Sequence, residues 1–222
     1  MPRTILVTEG DSPLGATLAR LFLGRGYSVI TTHERLAAQN PAAAGPAGRA
    51  SFAVAWNRRS PVSARTVLLG ALNGFASIDE ALILEPPSPA PSALSETASA
   101  DIESALDIAK GPAFLGRELR AYFARQARGV LVWVSLGAPE GPLQTGLREC
   151  FRGIASAVLA EKAEPGIITN GFRAETADPA EYATFIDKTL EEKARSLSGR
   201  WFTCPGRGGF FQSMIAGGAR KT

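Results

Sequence analysis

The chain of 222 residues has one histidine, His33, and two widely separated cysteines, Cys150 and Cys204. This shortage of ligands excludes a zinc site of common spacing and a disulfide framework. Long apolar runs are also lacking, since the run Val130–Val134 is far too short to cross a bilayer. The sequence opens directly into the apolar stretch Ile5–Val7 without a basic leader. We therefore expect no metal, no membrane span and a soluble, cytoplasmic protein.

A strong excess of charge of one sign is missing as well. The 24 Lys and Arg residues against 21 Asp and Glu leave a net charge of +3, and no dense basic run occurs, so nucleic acid is not an expected partner. Hydrophobic residues make up 45% and charged residues 20% of the chain, which is ordinary globular usage. At this length we expect one domain over residues 1–222.

Short apolar, β-branched runs alternate with segments of helical periodicity. Such runs predict a parallel sheet covered on both faces, and hence an α/β, doubly wound fold. The seven strand candidates are Ile5–Val7, Val29–Ile30, Phe52–Val54, Ala81–Leu84, Val130–Val134, Ile167–Thr169 and Trp201–Thr203.

Among the helices, a long one is predicted over 102–127 and another over 144–162. Asp178 followed by Pro179 is an N-cap followed by the favoured first residue, so a late helix should run to about Leu197. Two stretches are interpreted as surface loops: 37–48, which is rich in Ala, Pro and Gly, and 85–99, which reads EPPSPAPSALSETAS.

The first strand runs into the octapeptide TEGDSPLG, and we expect a helix to open near Ala16. Strand, tight loop and helix N-terminus together place free backbone N–H groups toward an anion. With this turn, the chain resembles the short-chain dehydrogenase/reductase family from Arg3 to about Gln212. Further segments that carry the resemblance are 129–135, 153–170 and 198–209. The resemblance implies a Rossmann-like sheet of seven parallel strands, with a dinucleotide held by Gly10, Ser12, Leu14 and Gly15.

The first turn departs from the family pattern Thr-Gly-x-x-x-Gly-x-Gly. Glu9 and Pro13 replace the first two glycines, and only Gly15 is kept. Proline removes an N–H, and a hydrogen bond to a charged group is worth roughly 1.5 to 3 kcal/mol. The carboxylates of Glu9 and Asp11 compete with a phosphate at the helix N-terminus. No cofactor is therefore expected, although weak NAD(P) binding stays open if both carboxylates turn to solvent.

The catalytic Tyr-x-x-x-Lys pair of the family is absent. The resemblance places Gln144 at the tyrosine and Arg148 at the lysine, and it places Leu136 at the serine, with Ser135 adjacent. Glutamine has no titratable proton and arginine stays charged, so neither replaces its counterpart. No other alignment helps, because none of the three tyrosines is followed by lysine four residues on; they are Tyr27, Tyr122 and Tyr182.

Other family features are missing too. The Asn-Asn-Ala-Gly after the fourth strand is replaced by 84–87 (LEPP), and the adenine-facing aspartate after the third strand by 55–58 (AWNR). The cofactor-selecting position holds 33–35 (HER), which favours neither NAD nor NADP. The covering lobe after the sixth strand is shortened to the few residues between Asn170 and Asp178.

Three functions fit these observations. The first is a catalytically silent assembly or scaffold subunit, a homo-oligomer or the partner of an active relative. Its contacts would be the helices 102–127 and 144–162, with the tail 210–215 as a second contact. The second is a divergent NAD(P)-dependent oxidoreductase for a carbonyl or alcohol that uses Ser135 and Arg148. The third is a nucleotide or small-molecule sensor.

Overall fold

Seven parallel strands form one sheet in the order β3-β2-β1-β4-β5-β6-β7. The computed structural model describes residues 3–34, 51–87, 93–137, 141–162, 164–174 and 178–206. All seven predicted strands are confirmed, and each is longer than its apolar run. They are β1 (Thr4–Val7), β2 (Ser28–His33), β3 (Ser51–Ala55), β4 (Glu80–Leu84), β5 (Gly129–Ser135), β6 (Ile167–Ala174) and β7 (Arg200–Cys204).

Helices cover both faces of the sheet. The described helices are α1 (Pro13–Gly24), α2 (Pro61–Gly74), α3 (Ser99–Ala109), α4 (Gly111–Gln126), α5 (Pro142–Ala160) and α6 (Pro179–Thr189). Strand residues alternate between the two faces: Leu6 packs with α2, α4 and α5, whereas Ile5 and Val7 pack with α1 and α6. Because both faces are buried, the strands read as continuous apolar runs. The Rossmann-like, doubly wound fold is confirmed.

The predicted single helix over 102–127 is wrong. The structure has two helices, α3 and α4, separated at Lys110. Pro112 causes the interruption, because it has no N–H to donate to Ile108 and its ring would clash with that carbonyl. The apolar spacing continues through the break, which is why periodicity alone did not reveal it.

Other helix ends differ by less. α1 begins at Pro13 rather than near Ala16, because the Ser12 side chain caps it. α5 spans 142–160 rather than 144–162. α6 begins at Pro179 with the Asp178 cap that the sequence predicted, and a wider turn carries it to Ala194. The predicted loop 37–48 and the tail 210–215 lie outside the described residues.

Within the described ranges, none of the helices has the length and apolar character that a bilayer crossing needs. The same residues contain no group of His, Cys, Asp and Glu side chains arranged to hold a metal ion.

Candidate functional site

The carboxyl ends of β1 and β4 lie side by side at the centre of the sheet. β1 pairs with β2 on one side and with β4 on the other, so the chain order reverses here. Open α/β sheets bind ligands in the crevice at such a switch point. Two carboxylates follow these strands directly, those of Glu9 and Glu85, and the residues are only 3% and 7% exposed.

Of the four residues predicted to hold a cofactor, Gly10 and Ser12 lie in the loop after β1, and Leu14 and Gly15 lie in the first turn of α1. Three of the four backbone donors already have partners: Gly10 N donates to Thr32 O at 2.8 Å, and Ser12 N donates to Glu9 O at 2.8 Å. Gly15 N donates to the Ser12 hydroxyl at 3.0 Å, while Leu14 is buried. The helix N-terminus therefore satisfies its own donors.

Glu9 does not turn to solvent. Its backbone is left-handed, with φ of 56°, and its carboxylate accepts two hydrogen bonds from the Arg58 guanidinium. One of these bonds, from Nε to Oε1, is 2.7 Å long. Burial raises the pKa of Glu9 above its usual value, although Arg58 acts in the opposite direction. The position that the family gives to glycine thus carries a buried ion pair.

Further charged groups line the outer side of this pair. The Asp11 carboxylate, whose side chain is 67% exposed, accepts a hydrogen bond from His33 Nδ1 at 2.6 Å. The Oε2 atom of Glu34 lies 3.5 Å from Nη1 of Arg58. Gly10 packs so tightly that an added Cβ would lie 2.8 Å from the His33 ring. Little space therefore separates the loop from β2.

A second cluster forms around Glu85 at the end of β4. Its Oε2 accepts from the Ser135 hydroxyl at 2.8 Å and from Leu136 N at 3.1 Å, and its Oε1 accepts from Arg148 Nε at 2.9 Å. Arg152 Nε donates to the same hydroxyl at 2.8 Å. Ser135, Leu136 and Arg148, which the sequence analysis singled out, thus come together around Glu85. Gln144 lies half-buried on α5.

Sequence analysis missed Glu85 as the centre of this cluster, and it missed Arg152 and Tyr182. The Tyr182 hydroxyl donates to Ser135 O at 3.0 Å, and burial raises its pKa far above the ordinary value. Tyr182 is therefore a poor proton donor or acceptor near neutral pH. The one available signal was the position of Glu85, a charged residue directly after a fully apolar strand.

A cavity of about 160 Å³ opens between the first loop and α6. Ligand pockets usually enclose about 300 to 1,000 Å³, and a dinucleotide needs a large one. The lining of the 160 Å³ cavity is mainly apolar. It comprises Ser12, Pro13, Leu14, Leu136, Gly137, Asp178, Pro179 and Tyr182. The cavity that the described residues enclose is therefore smaller than a usual ligand pocket, and the amides of Gly10, Ser12 and Gly15 are already bonded within the protein.

Comparison with known proteins places this geometry on a familiar fold. No known family matches the sequence, and no curated protein does either. Among solved structures, 3-ketoacyl-(acyl-carrier-protein) reductase from Brucella melitensis, complexed with NADH, superposes with a TM-score of 0.77 at 15% identity. That match covers 92% of this chain and 97% of the other. ElxO with NADP bound gives a TM-score of 0.76 at 15% identity, covering 96% and 100%.

These likenesses establish the fold. The chain has the seven-stranded, Rossmann-like architecture of short-chain dehydrogenases/reductases, which confirms the resemblance drawn from the sequence at the level of the fold. The nicotinamide cofactors belong to those two proteins.

Proposed function

We propose that this chain is a catalytically silent protein of the short-chain dehydrogenase/reductase fold that serves in the cytoplasm as an assembly or scaffold subunit. The observation that carries the proposal is the Glu85 cluster. Ser135, next to the position where the family resemblance places the serine, and Arg148, at the position of the lysine, are tied to one buried carboxylate. The Ser135 hydroxyl and the Arg148 guanidinium bond to Glu85 at the carboxyl end of β4 instead of facing a substrate.

The chemistry of the cluster supports this assignment. Hydride transfer to a carbonyl needs a group that releases a proton near neutral pH, and such a group contributes about two to four decades of rate. Arg148 stays protonated and Gln144 cannot titrate. Tyr182, the one phenol in the cluster, keeps its proton because burial raises its pKa.

We further propose that the native chain does not hold NAD(P). The buried carboxylates of Glu9 and Glu85 follow β1 and β4, the two strands whose carboxyl ends meet at the switch point. A diphosphate placed between them would meet negative charge without the free amides that normally offset it. Any remaining binding of NAD(P) would be weak.

The proposed contact surface is the outer face formed by α4 and α5. Between these helices lies a groove of about 430 Å³ whose apolar walls include Ala121, Ile154 and Val158. Next to it, α5 exposes small residues, and a Cβ added at Gly146 or Gly153 would meet nothing within 4 Å. Small residues allow another helix to approach closely. The partner would be a second copy of the chain or an active protein of the same fold.

Thermal unfolding with NAD⁺, NADH, NADP⁺ and NADPH tests the proposal, together with an assay of reduced-nicotinamide absorbance over ketones and alcohols. We expect no saturable rise in Tm and no turnover, because a ligand that binds only the native state must stabilise it. A saturable rise without turnover would favour a sensor. Turnover would establish the divergent oxidoreductase and reject a silent protein.

A further inference from the structure

Glu9 adopts a backbone conformation that a glycine would adopt without strain. Its φ of 56° lies in the left-handed region, which is unfavourable for residues with a Cβ. The side chain nevertheless points inward and is almost fully buried. A conformation of this kind persists only when the surroundings hold it. Here the backbone is bonded to Thr32 and Ser12, and the bidentate pair with Arg58 holds the side chain.

Arg58 is anchored independently of Glu9. Its guanidinium lies over the Trp56 ring, 5.5 Å from the ring centroid. The first residue of α4 closes over its backbone, because a Cβ at Gly111 would lie 2.8 Å from Arg58 O and 2.6 Å from Arg58 Cβ. If the Glu9 carboxylate were removed, Arg58 would remain in place as a buried cation. Its remaining anionic neighbours would be Asp11 and Glu34, the latter at 3.5 Å with a side chain that is 66% exposed.

We propose that the Glu9 carboxylate is an internal substitute for a ligand phosphate, an autoinhibitory contact that keeps the nucleotide crevice closed. The Glu9 carboxylate takes the hydrogen bonds of the Arg58 guanidinium that a phosphate would otherwise accept. Without that carboxylate, Arg58 would bind an anionic adenine nucleotide, since a planar guanidinium pairs with phosphate as it does with carboxylate. This inference rests on the proposed function, because it explains how the chain excludes a nucleotide.

The test is isothermal titration of the native chain, Glu9→Gly and Glu9→Gly/Arg58→Ala with ADP and NADP⁺. We expect Glu9→Gly to bind at least one of them about tenfold more tightly than the native chain does. The double variant should lose that gain, because Arg58 is the proposed acceptor of the phosphate. Glu9→Gln, which keeps the size and removes the charge, should show a smaller gain in the same direction.

The outcomes separate this inference from the proposed function. Tight dinucleotide binding by the native chain would overturn both the closure and the silent assignment. A native chain that binds nothing, together with folded Glu9→Gly and Glu9→Gln that also bind nothing, would overturn the closure alone. A gain that survives Arg58→Ala would also reject it. Unfolding of both single variants would count against it as well, since Arg58 is held by Trp56 and Gly111.

Discussion

Each of the two buried carboxylates that follow β1 and β4, those of Glu9 and Glu85, forms an ion pair with one arginine. Glu85 is 7% exposed, and so is Arg148, with the two joined at 2.9 Å. Removing one member of a buried ion pair leaves an uncompensated charge, which typically costs about 3 to 5 kcal/mol. The Arg148→Met variant should therefore lose about 3 kcal/mol of unfolding free energy in urea denaturation.

A matched control and a double variant sharpen that measurement. Arg117 pairs with Glu118 on the surface, and its side chain is 69% exposed, so Arg117→Met should change stability by less than about 1 kcal/mol. The Glu85→Leu/Arg148→Met double variant should be more stable than the sum of its single variants implies, by about 1 kcal/mol or more. Additive losses would show that the two side chains do not act as a pair.

The raised pKa of Glu9 makes a pH prediction. Burial is its main cause, with Asp11 and Glu34 adding to the rise and Arg58 opposing it. The folded chain thus binds a proton at Glu9 more tightly than the unfolded chain does. This stabilisation is complete below the ordinary glutamate value of about 4.3 and is lost as the pH rises through the raised pKa.

Chemical denaturation of the native chain and Glu9→Gln over about pH 4 to pH 7 measures this effect. The stability of the native chain relative to Glu9→Gln should fall as the pH rises. A relative stability that rises with pH would contradict the direction of the pKa shift, because it would mean that ionised Glu9 is favoured by folding.

At the scale of elements, the break between α3 and α4 places the start of α4 against Arg58. Arg58 in turn bonds to Glu9 in the first loop. Gly111 opens α4 directly against Arg58, and a Cβ there would be too close to backbone and side chain alike. We expect Gly111→Ala to destabilise the fold by about 1 to 3 kcal/mol through overpacking. Gly153→Ala, on the open face of α5, should instead stabilise it by up to about 1 kcal/mol. Thermal unfolding of the monomer at low concentration compares the two.

If Gly111→Ala were as stable as Gly153→Ala, the contact between α4 and Arg58 would be looser than the structure shows. The anchoring of Arg58 without Glu9 would then lose one of its two supports, the other being the Trp56 ring.

For the whole molecule, the proposed assembly face makes a separate prediction. A tryptophan at position 153 of α5 would fill the space that a partner helix needs, so Gly153→Trp should shift the chain toward monomer by at least about tenfold in dissociation constant. Gly24→Trp, at the end of α1 and with equally open surroundings, is the matched control. Sedimentation equilibrium measures both. Equal effects of the two variants would place the contact elsewhere.

The sheet was predictable because helices cover both of its faces. A strand in such a sheet has a continuous apolar sequence, as in the run Val130–Val134. The charged pairs were not. Glu9 and Arg58 are 49 residues apart and Glu85 and Arg148 are 63 apart, and local patterns do not encode which distant charges meet. The sequence did indicate that Glu9 and Arg148 stand at altered family positions. It could not show that each has a buried partner.

The two ion pairs also constrain how this sequence can change. A mutational path that opens the crevice by removing Glu9 leaves Arg58 buried without that partner, and removal of Glu85 does the same to Arg148. A variant that carries such an unpaired arginine is less stable than the present chain. Selection for stability therefore resists recovery of the cofactor site one substitution at a time.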